Sequence, residues 1–167
     1  MIEIKRFYLQ IRSLEELNKV KKPSKSLKVE KSSNNFQLNK FFYREIGKKH
    51  RWVDRLSWSN DTWINYLNNK NLYTCVLKKN DDLVGYYEKI YYEESNEFEI
   101  AYFGIMEEYI GKGYGGFFLS EALESCLKEK VSRIWVHTCS LDHENAIKNY
   151  LARGMKLYKE EKIKISA

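Results

Sequence analysis

The stretch 99–119 constrains the fold more than any other part of the chain. Its first seven residues, Glu99–Ile105, are mostly β-branched, aromatic or small and lack helical spacing, so they predict a buried strand. After a short polar turn come four glycines within six residues, at Gly111, Gly113, Gly115 and Gly116. From Phe118 to Leu127 apolar residues recur at three- and four-residue spacing, which predicts an amphipathic helix. The unit is a strand, a glycine-rich turn and a helix.

The glycine turn, residues 111–116, has the chemistry of an anion site. The first amides of a helix have no intrahelical acceptor, and the helix dipole places partial positive charge beside them. Glycines permit left-handed backbone and close approach of a ligand, and Lys112 adds a full charge. The turn therefore predicts a phosphate or pyrophosphate site, with a plain connecting turn as the alternative. Its spacing matches neither the dinucleotide nor the Walker pattern.

Composition limits the classes of protein that fit. A chain of 167 residues with 15% aromatic side chains predicts one folded domain, 1–167. The net charge of +6 raises the question of nucleic acid. The lysines are scattered among glutamates without a run of five like charges, which favours a basic solvated surface instead. No nucleic-acid partner is expected.

Cysteine usage and hydropathy give further expectations. Cys75, Cys126 and Cys139 lack Cys-x-x-Cys spacing and sit in apolar patterns, so we expect reduced thiols. No His, Cys and Asp cluster has metal-ligand spacing, so no metal is expected. No apolar run approaches membrane-spanning length and the N-terminus lacks an apolar signal region. We expect a cytoplasmic protein without membrane contact.

The remaining sequence predicts helices and strands in mixed order. The N-terminal half predicts a strand at 2–9, a helix at Ser13–Val20 opened by Ser13, a loop at 21–35 with a short strand at Leu27–Glu30, and two helices within the aromatic-rich stretch 39–69, the second capped by Ser59 or Asn60. Aromatic side chains at helical spacing favour a core role, with the wall of a substrate cleft as the alternative.

The C-terminal half predicts strands on both sides of the glycine turn. These are an antiparallel hairpin at 72–78 and 83–92, the strand before the turn, a parallel strand at Arg133–Cys139 reached by a right-handed crossover, a helix capped by Asp142 and ended by Gly154, and a last strand at Lys156–Ile165. An antiparallel meander joined to a β-α-β-α-β unit is a mixed α/β domain of the α+β type.

Two motifs in this half resemble those of the GNAT family of N-acetyltransferases. The glycine turn is similar to the family's Gln/Arg-x-x-Gly-x-Gly/Ala loop, with Gly113 and Gly115 in register and Ile110 in place of Gln or Arg. The second motif, Asn-x-x-Ala-x-x-x-Tyr-x-x-x-Gly-Phe, is matched by Ala146, Tyr150 and Gly154, with His143 and Met155 at the positions usually held by Asn and Phe. The resemblance covers roughly residues 72–165.

The resemblance implies a GNAT-like fold in which two parallel strands splay apart and receive acetyl-CoA. The pantetheine arm would bond the backbone of the strand before the turn, at Tyr102, Phe103, Gly104 and Ile105. The pyrophosphate would bind the amides of the glycine turn, at Gly111, Lys112, Gly113, Tyr114, Gly115 and Gly116. We expect His143 to bond either a backbone group or the pantetheine rather than to transfer a proton. We expect His137, on a strand, to be a satisfied, part-buried ring rather than a base.

The implied activity is transfer of an acetyl group from acetyl-CoA to a primary amine of a small molecule or peptide by direct attack. Tyr150 matches the tyrosine that protonates the departing sulfur. Freeing the lone pair of an amine at pH 7 costs about 4.6 kcal/mol, so a base is useful. Glu99 matches the glutamate of Glu-Ile-x-Phe-x-x-Ile in the lysine-modifying branch. Glu97 or a water path is the alternative base, and both glutamates could instead flank a solvated hairpin.

Two other classes of function stay open. A non-catalytic acyl-CoA-binding or regulatory module would bind CoA without turnover, although the presence of Tyr150 argues against it. A basic nucleic-acid-binding domain would need a basic cluster that the sequence lacks. The acid-rich turn Glu93–Glu99 favours a cationic acceptor such as a polyamine, lysine or peptide terminus. Exposed strand edges would permit a homodimer.

Overall fold

The computed structural model describes residues 1–166. Within them the seven strands are β1 (Ile2–Ile11), β2 (Leu27–Lys31), β3 (Leu72–Lys79), β4 (Asp82–Tyr92), β5 (Glu97–Ile105), β6 (Arg133–Cys139) and β7 (Lys156–Ile165). The four α-helices are α1 (Phe36–Gly47), α2 (Asn60–Leu67), α3 (Tyr114–Leu127) and α4 (Asn145–Ala152), and short 3-10 turns lie at Leu14–Glu16 and Glu107–Tyr109. None of these helices has the length and hydrophobicity that crossing a bilayer requires.

All seven strands form one sheet in the order β2-β3-β4-β5-β6-β1-β7. Neighbours are antiparallel except β5 and β6, which are parallel. The parallel pairing runs only from Glu97 opposite Arg133 to Ile100 opposite Val136. Beyond that point β5 continues against β4 and β6 continues against β1, so the two strands diverge. This divergence, here called the fork, confirms the predicted mixed fold with two splayed strands.

A β-bulge at the fork changes which residues of β5 share a face. Glu88 of β4 lies opposite Tyr102, whereas the next residue of β4 lies opposite Ile100, so Ala101 is an extra residue on β5. Glu97 and Glu99, before the bulge, lie on the same face of the sheet, and Tyr102, after the bulge, lies on that face too. We call this side the α1 face, because α1 packs on it, and the opposite side the α3 face.

Each face of the sheet carries its own hydrophobic core. On the α3 face, Phe118, Leu119 and Leu123 of α3 are fully buried against strand residues such as Ile100. On the α1 face, Phe42 packs in a smaller cluster that includes Ile46, Val76, Tyr86 and Met106. Phe42 and Tyr43 of α1 and Trp63 of α2 are therefore core residues, as their helical spacing indicates, whereas Phe41 is exposed.

The predicted helix at Ser13–Val20 is wrong beyond its first turn. Only Leu14–Glu16 is helical, and the Ser13 side chain caps no backbone amide. The reason is tertiary: the Asn18 amide bonds the carbonyl of Arg153, and the Val20 amide bonds the Ser120 hydroxyl. Backbone groups that a helix would have used instead attach this segment to α3 and to the end of α4.

The predicted cap of α4 by Asp142 is also wrong. Helix α4 starts at Asn145, and its N-cap residue Glu144 makes no side-chain cap. The Asp142 carboxylate instead accepts hydrogen bonds from the Thr138 hydroxyl and the Cys139 amide. This carboxylate is held by groups of the preceding strand, and it is therefore not positioned to cap the first amides of α4. Ser59, by contrast, caps α2 by accepting from the Thr62 amide at 3.1 Å, as predicted.

Candidate active site

The open end of the fork exposes one backbone edge of β5. From Tyr102 to Ile105 this strand pairs with β4 only, because its pairing with β6 ends at Ile100. The backbone groups that point toward β6 in this part are therefore available to a ligand. Phe103 and Ile105 direct their side chains to the α3 face, and Gly104 lies beneath Ile46 and Trp52.

The glycine turn holds the left-handed conformation that its sequence predicts. Gly111 and Gly113 have φ values of +87° and +81°. Gly113 is the N-cap of α3 and offers no side-chain oxygen to the first amides of the helix. Lys112 is exposed, whereas the Tyr114 side chain is buried, so Tyr114 can contribute only its amide to an anion site. The turn and the helix start together have a geometry that is suited to an anion.

Helix α4 packs directly against the first turn of α3. A side chain at Gly116 would meet the Arg153 guanidinium nitrogen at 2.5 Å, and Asn149 donates to the Gly115 carbonyl at 3.2 Å. Arg153 Nε is buried without a hydrogen-bond partner among residues 1–166, and burial lowers the pKa of this side chain. The sequence reasoning missed Asn149 and Arg153, although their four-residue spacing beside Tyr150 could have indicated them.

Tyr150 lies on the same helix and approaches the open arm of β5. It is 6% exposed, and its ring stands edge-on to Phe103 with the centroids 6.5 Å apart. No hydrogen bond of its hydroxyl occurs within residues 1–166. Burial, with a smaller contribution from Asp142, raises the pKa of the phenol, so the hydroxyl stays protonated at neutral pH. A buried phenol of this kind can act as a donor.

Glu99 lies on the α1 face at the closed end of the fork. Its carboxylate accepts a hydrogen bond from the Tyr92 hydroxyl at 2.7 Å, and the residue as a whole is only 9% exposed. Burial raises the pKa of Glu99, and the Tyr92 hydrogen bond opposes that rise. Glu97 is instead bonded to Arg133 at 2.8 Å. Of the two glutamates, Glu99 is the one without an arginine partner.

His137 completes the polar group around Glu99. Its Nε2 is 4.0 Å from the Glu99 carboxylate, and it stands on the β6 arm directly after the last paired residue, Val136. Burial, followed by the charge of Arg6, lowers the pKa of His137, so the ring is neutral at pH 7. Sequence reasoning treated His137 as a part-buried ring and did not foresee its place beside Glu99, since the parallel register was needed for that.

His143 bonds a backbone group, which is one of the two alternatives predicted for it. Its Nδ1 accepts from the Asn145 amide at 3.1 Å, and its ring lies against His50 with the centroids 5.5 Å apart. This arrangement keeps His143 at the start of α4 and at the mouth of the fork. A pantetheine contact stays a prediction.

The loop between α1 and α2 crosses the fork on the α1 face. Trp52 packs edge-on against Tyr102 of β5, with the ring centroids 4.9 Å apart. The same indole donates its N–H to Asp142, in the segment after β6, at 3.2 Å. The loop thus touches both diverging strands, a role that the aromatic spacing alone could not reveal.

A buried ion pair fixes this loop to the sheet. Arg55 and Glu88 are 7% and 0% exposed and approach to 3.0 Å. Tyr66 and Asn39 donate further hydrogen bonds to the same carboxylate at 2.6 and 2.9 Å. The guanidinium also lies over several aromatic rings, including Tyr102 at 4.3 Å. Each charged group of this cluster is thus paired, and the pair anchors the loop to β4.

Comparison with known proteins is consistent with this geometry. The fold is shared with a GCN5-related N-acetyltransferase from Sphaerobacter thermophilus (12% identity, TM-score 0.71), over 94% of this chain and 49% of that one. An aminoglycoside acetyltransferase from an uncultured soil metagenomic sample, in complex with trehalose, is 15% identical with a TM-score of 0.65, over 79% and 90% of the two chains. PaiA N-acetyltransferase from Thermoplasma acidophilum, in complex with coenzyme A, is 18% identical with a TM-score of 0.51, over 64% and 75%.

These structural similarities establish the fold. The assignment to a family rests on a separate match in sequence. The chain spans about half the length of the Sphaerobacter protein. No curated protein is significantly similar to it in sequence. The sequence profile of the acetyltransferase (GNAT) family matches residues 35–155, a range that includes the fork, the glycine turn and Tyr150. The chain therefore belongs to the GNAT family of acetyltransferases.

Proposed function

We propose that the chain is an acetyl-CoA-dependent N-acetyltransferase that acts on a primary amine of a small molecule or peptide. The observation that supports the proposal is the fork, which has candidate donor-site residues on its α3 side and a candidate base on its α1 face. The exposed edge of β5, the glycine turn and Tyr150 surround its open end. Glu99 lies at its closed end on the α1 face.

The donor side is suited to a long, anionic thioester. Acetyl-CoA supplies the activated acetyl group. The free backbone edge from Tyr102 to Ile105 can bond the amides of its pantetheine arm. The amides of the glycine turn, with Lys112 and Arg153 nearby, can bind its pyrophosphate. The coenzyme A complex of the Thermoplasma relative supports the choice of cosubstrate.

Two proton transfers complete the proposed reaction. The amine nitrogen forms a bond to the acetyl carbon while the carbon–sulfur bond breaks, giving an amide and a thiol. The Tyr150 phenol, protonated in its buried site, can donate a proton to the leaving sulfur. Glu99 can accept a proton from the amine, since burial raises its pKa toward the pKa of a useful base. Neutral His137 beside it can share that proton.

Titration calorimetry with acetyl-CoA, followed by a thiol-release assay with a panel of primary amines, tests the proposal. We expect micromolar binding that weakens with an analogue lacking the pyrophosphate, and thiol release that depends on the amine. Binding without turnover of any amine would favour a non-catalytic CoA-binding module. Absence of binding would overturn the acetyltransferase assignment for this chain.

The acceptor class rests on two less specific observations. The soil metagenomic relative is an aminoglycoside acetyltransferase, and aminoglycosides are small-molecule amines. The acid-rich turn Glu93–Glu99 also favours a cationic acceptor. We therefore propose a positively charged amine as acceptor.

A further inference from the structure

The part of the α1 face that α1 and α2 leave uncovered carries a continuous row of aromatic rings. Successive centroids along the row are 6.3, 6.4, 5.7 and 6.1 Å apart. We call it the aromatic row, and its members in order are Tyr92, Trp135, His137, Tyr8 and Tyr158. They come from β4, β6, β1 and β7, so the row runs across the sheet.

Four of the five rings of the row, those of Tyr92, Trp135, Tyr8 and Tyr158, line an open groove that adjoins the fork. The groove has a volume of about 350 Å³. Tyr92 donates its hydroxyl hydrogen bond to Glu99, and Trp135 lies opposite Glu99 in the parallel register. A molecule lying in the groove would therefore have one end at Tyr92, the hydrogen-bond partner of Glu99. The outer end of the row is exposed, with Tyr158 at 38%.

The charges of the groove are almost all neutralised within the chain. Glu97 is paired with Arg133 at 2.8 Å. Glu161 accepts from the Tyr8 hydroxyl at 2.6 Å and lies 3.6 Å from Lys159. Within the described part of the chain, Glu99 is the carboxylate of this region that has no lysine or arginine within ion-pair distance. Glu99 does not itself line the groove, but it accepts a hydrogen bond from Tyr92, which does. The groove thus offers a large π surface whose end at Tyr92 adjoins a carboxylate without a cationic partner.

This charge pattern discriminates between classes of amine. A polyamine or an aminosugar carries several ammonium groups, and those distant from Glu99 would find the nearby carboxylates of Glu97 and Glu161 already paired with Arg133 and Lys159. A single ammonium on an apolar ring would place its charge at the Tyr92–Glu99 end and its ring on Trp135 or Tyr158. Offset or edge-on contacts between rings contribute beyond the area they bury, and an ammonium over such rings gains a cation–π attraction.

We infer that the aromatic row binds the body of the acceptor, and that the acceptor is a monoamine carrying an aromatic ring, an arylalkylamine. The inference rests on the proposed function and narrows its acceptor from any cationic amine to this class. Trp135 and Tyr158 act as specificity residues that contact the ring.

The first test compares acceptors with the wild-type protein. Phenethylamine and tryptamine are the ring-bearing probes, and spermidine and kanamycin are the polycationic ones. We expect kcat/KM for thiol release from acetyl-CoA to be at least about 10-fold higher for the ring-bearing pair, the factor that a desolvated ring contact of about 1.4 kcal/mol gives. Equal or higher kcat/KM for spermidine or kanamycin would overturn the inference.

The second test alters the row while the donor site is monitored. In Trp135→Ala, and separately in Tyr158→Ala on the edge strand β7, we expect KM for phenethylamine to rise about 10-fold with little change in kcat. Phe41→Ala is the matched control, because Phe41 is an aromatic side chain of α1, 41% exposed, outside the groove. It should leave KM unchanged. Calorimetric binding of acetyl-CoA verifies that each variant is folded.

The outcomes separate the inference from the function on which it rests. If the wild-type protein binds acetyl-CoA and acetylates only spermidine or kanamycin, the inference fails and the proposed function stands. If acetyl-CoA does not bind at all, both fail. Unchanged KM in both row variants, or an equal rise in Phe41→Ala, would also overturn the role of the row.

Discussion

At the fork, the protonation states of Glu99 and Tyr150 are determined by the surroundings of each side chain. Glu99 is deprived of solvent by burial yet keeps a hydrogen-bond donor in Tyr92. Tyr150 is equally enclosed on the opposite face and keeps its proton. One group is thus a stronger base than an exposed glutamate, and the other is a neutral donor. Two titratable groups whose pKa values have been raised by burial, one on each face of the fork, are the pattern expected of an acid and a base.

The first prediction concerns the choice between the two glutamates of β5. Glu99→Gln keeps an oxygen that can accept from Tyr92 but cannot accept a proton, so kcat/KM for the amine should fall about 10²-fold. Glu97→Gln removes a partly buried ion-pair partner of Arg133, which keeps its hydrogen bond to Gln10, and should change kcat/KM by less than about 5-fold, because the pair takes no part in the proposed proton transfer. Steady-state thiol release decides between them. Equal losses in both variants would contradict the assignment of the base to Glu99.

The second prediction concerns pH. Glu99 must be ionised to accept a proton, so kcat/KM should fall as pH drops through its raised pKa, giving an acid limb above the range of an exposed glutamate. Because the Tyr92 hydrogen bond lowers that pKa, Tyr92→Phe should move the limb to higher pH. The pH dependence of kcat/KM, measured with saturating acetyl-CoA, gives the position of the limb. That position can be read even if Tyr92→Phe changes the maximal value of kcat/KM. If the acid limb did not move in Tyr92→Phe, the ionisation that produces it would not be that of Glu99.

The third prediction concerns the leaving group. Tyr150→Phe removes the hydroxyl and keeps the ring that packs edge-on to Phe103. We expect kcat to fall about 10²-fold, the usual contribution of a proton donor, while the calorimetric affinity for acetyl-CoA stays the same. Turnover at the wild-type rate would exclude the role of Tyr150 as the donor to sulfur.

At the scale of elements, the turn before α3 and the helix α4 act as one unit. The left-handed Gly113 ends the turn, and α4 packs against Gly115 and Gly116 through Asn149 and Arg153. The four glycines therefore serve two purposes. Gly111 and Gly113 provide backbone conformation, since a side chain there would meet no atom within 4 Å, whereas Gly116 provides space.

This division gives the fourth prediction, a matched pair of alanine variants. Gly113→Ala forces a Cβ into φ +81°, which costs about 1–2 kcal/mol, and it should weaken acetyl-CoA binding by distorting the turn. Gly115→Ala lies in α3, where its Cβ would make only ordinary contacts at 3.6 and 3.7 Å, so it should gain about 0.5–1 kcal/mol of stability. Urea unfolding with and without acetyl-CoA measures both effects. Equal loss of stability would show that packing and not φ governs the turn.

Sequence patterns were sufficient for the elements whose partners are near in the chain. The strand at 99–105, the turn and α3 follow from a buried strand, positive-φ glycines and helical spacing. The antiparallel hairpin at 72–92 and the parallel strand at Arg133–Cys139 follow from turn residues and chirality, whereas the position of β1 between β6 and β7 was not predicted. The patterns failed where distant groups satisfy the backbone. The segment after Ser13 is bonded to α3 and α4, and Asp142 is bonded to β6. No short-range sequence pattern indicates these partners.

The same limit applies to the candidate site. The glycine turn and Tyr150 could be recognised because each belongs to a short motif. The contact of Trp52 with Asp142, ninety positions along the chain, and the pairing of Arg55 with Glu88 depend on how α1 and α2 pack over the sheet. The place of His137 beside Glu99 depends on the register of β6. The roles of these residues could be identified only once the fold was known.

At the scale of the whole molecule, one buried ion pair joins the two helices of the N-terminal half to the sheet of the C-terminal half. Arg55 precedes α2 and Glu88 belongs to β4, and both are almost fully buried. The loop that Arg55 anchors is the one that crosses the fork through Trp52. The predictions of a single domain and of a homodimer belong to this scale and stay predictions.

The fifth prediction tests that anchor. Arg55→Met leaves the Glu88 carboxylate buried without its cation, which should lower the free energy of unfolding by about 3–5 kcal/mol. Lys49→Met breaks an exposed pair with Glu107 in the same loop and should cost below about 1 kcal/mol. Urea unfolding at pH 7 compares the two variants. A loss below about 1 kcal/mol in Arg55→Met would show that the loop does not depend on the pair.

The bulge at Ala101 has a consequence for how this segment can vary. Tyr102 and Gly104 face α1 because Ala101 is accommodated as a bulge, whereas in a regularly paired strand Tyr102 would share the face of Ile100. Deleting Ala101 would place Tyr102 directly after Ile100, so simple alternation would keep Tyr102 and Gly104 on the α1 face and Phe103 and Ile105 in the α3 core. The loss of this one residue would therefore remove the local bend of the bulge and leave the two faces of the open arm unchanged. Related chains can lack this residue and still present the same side chains on each face.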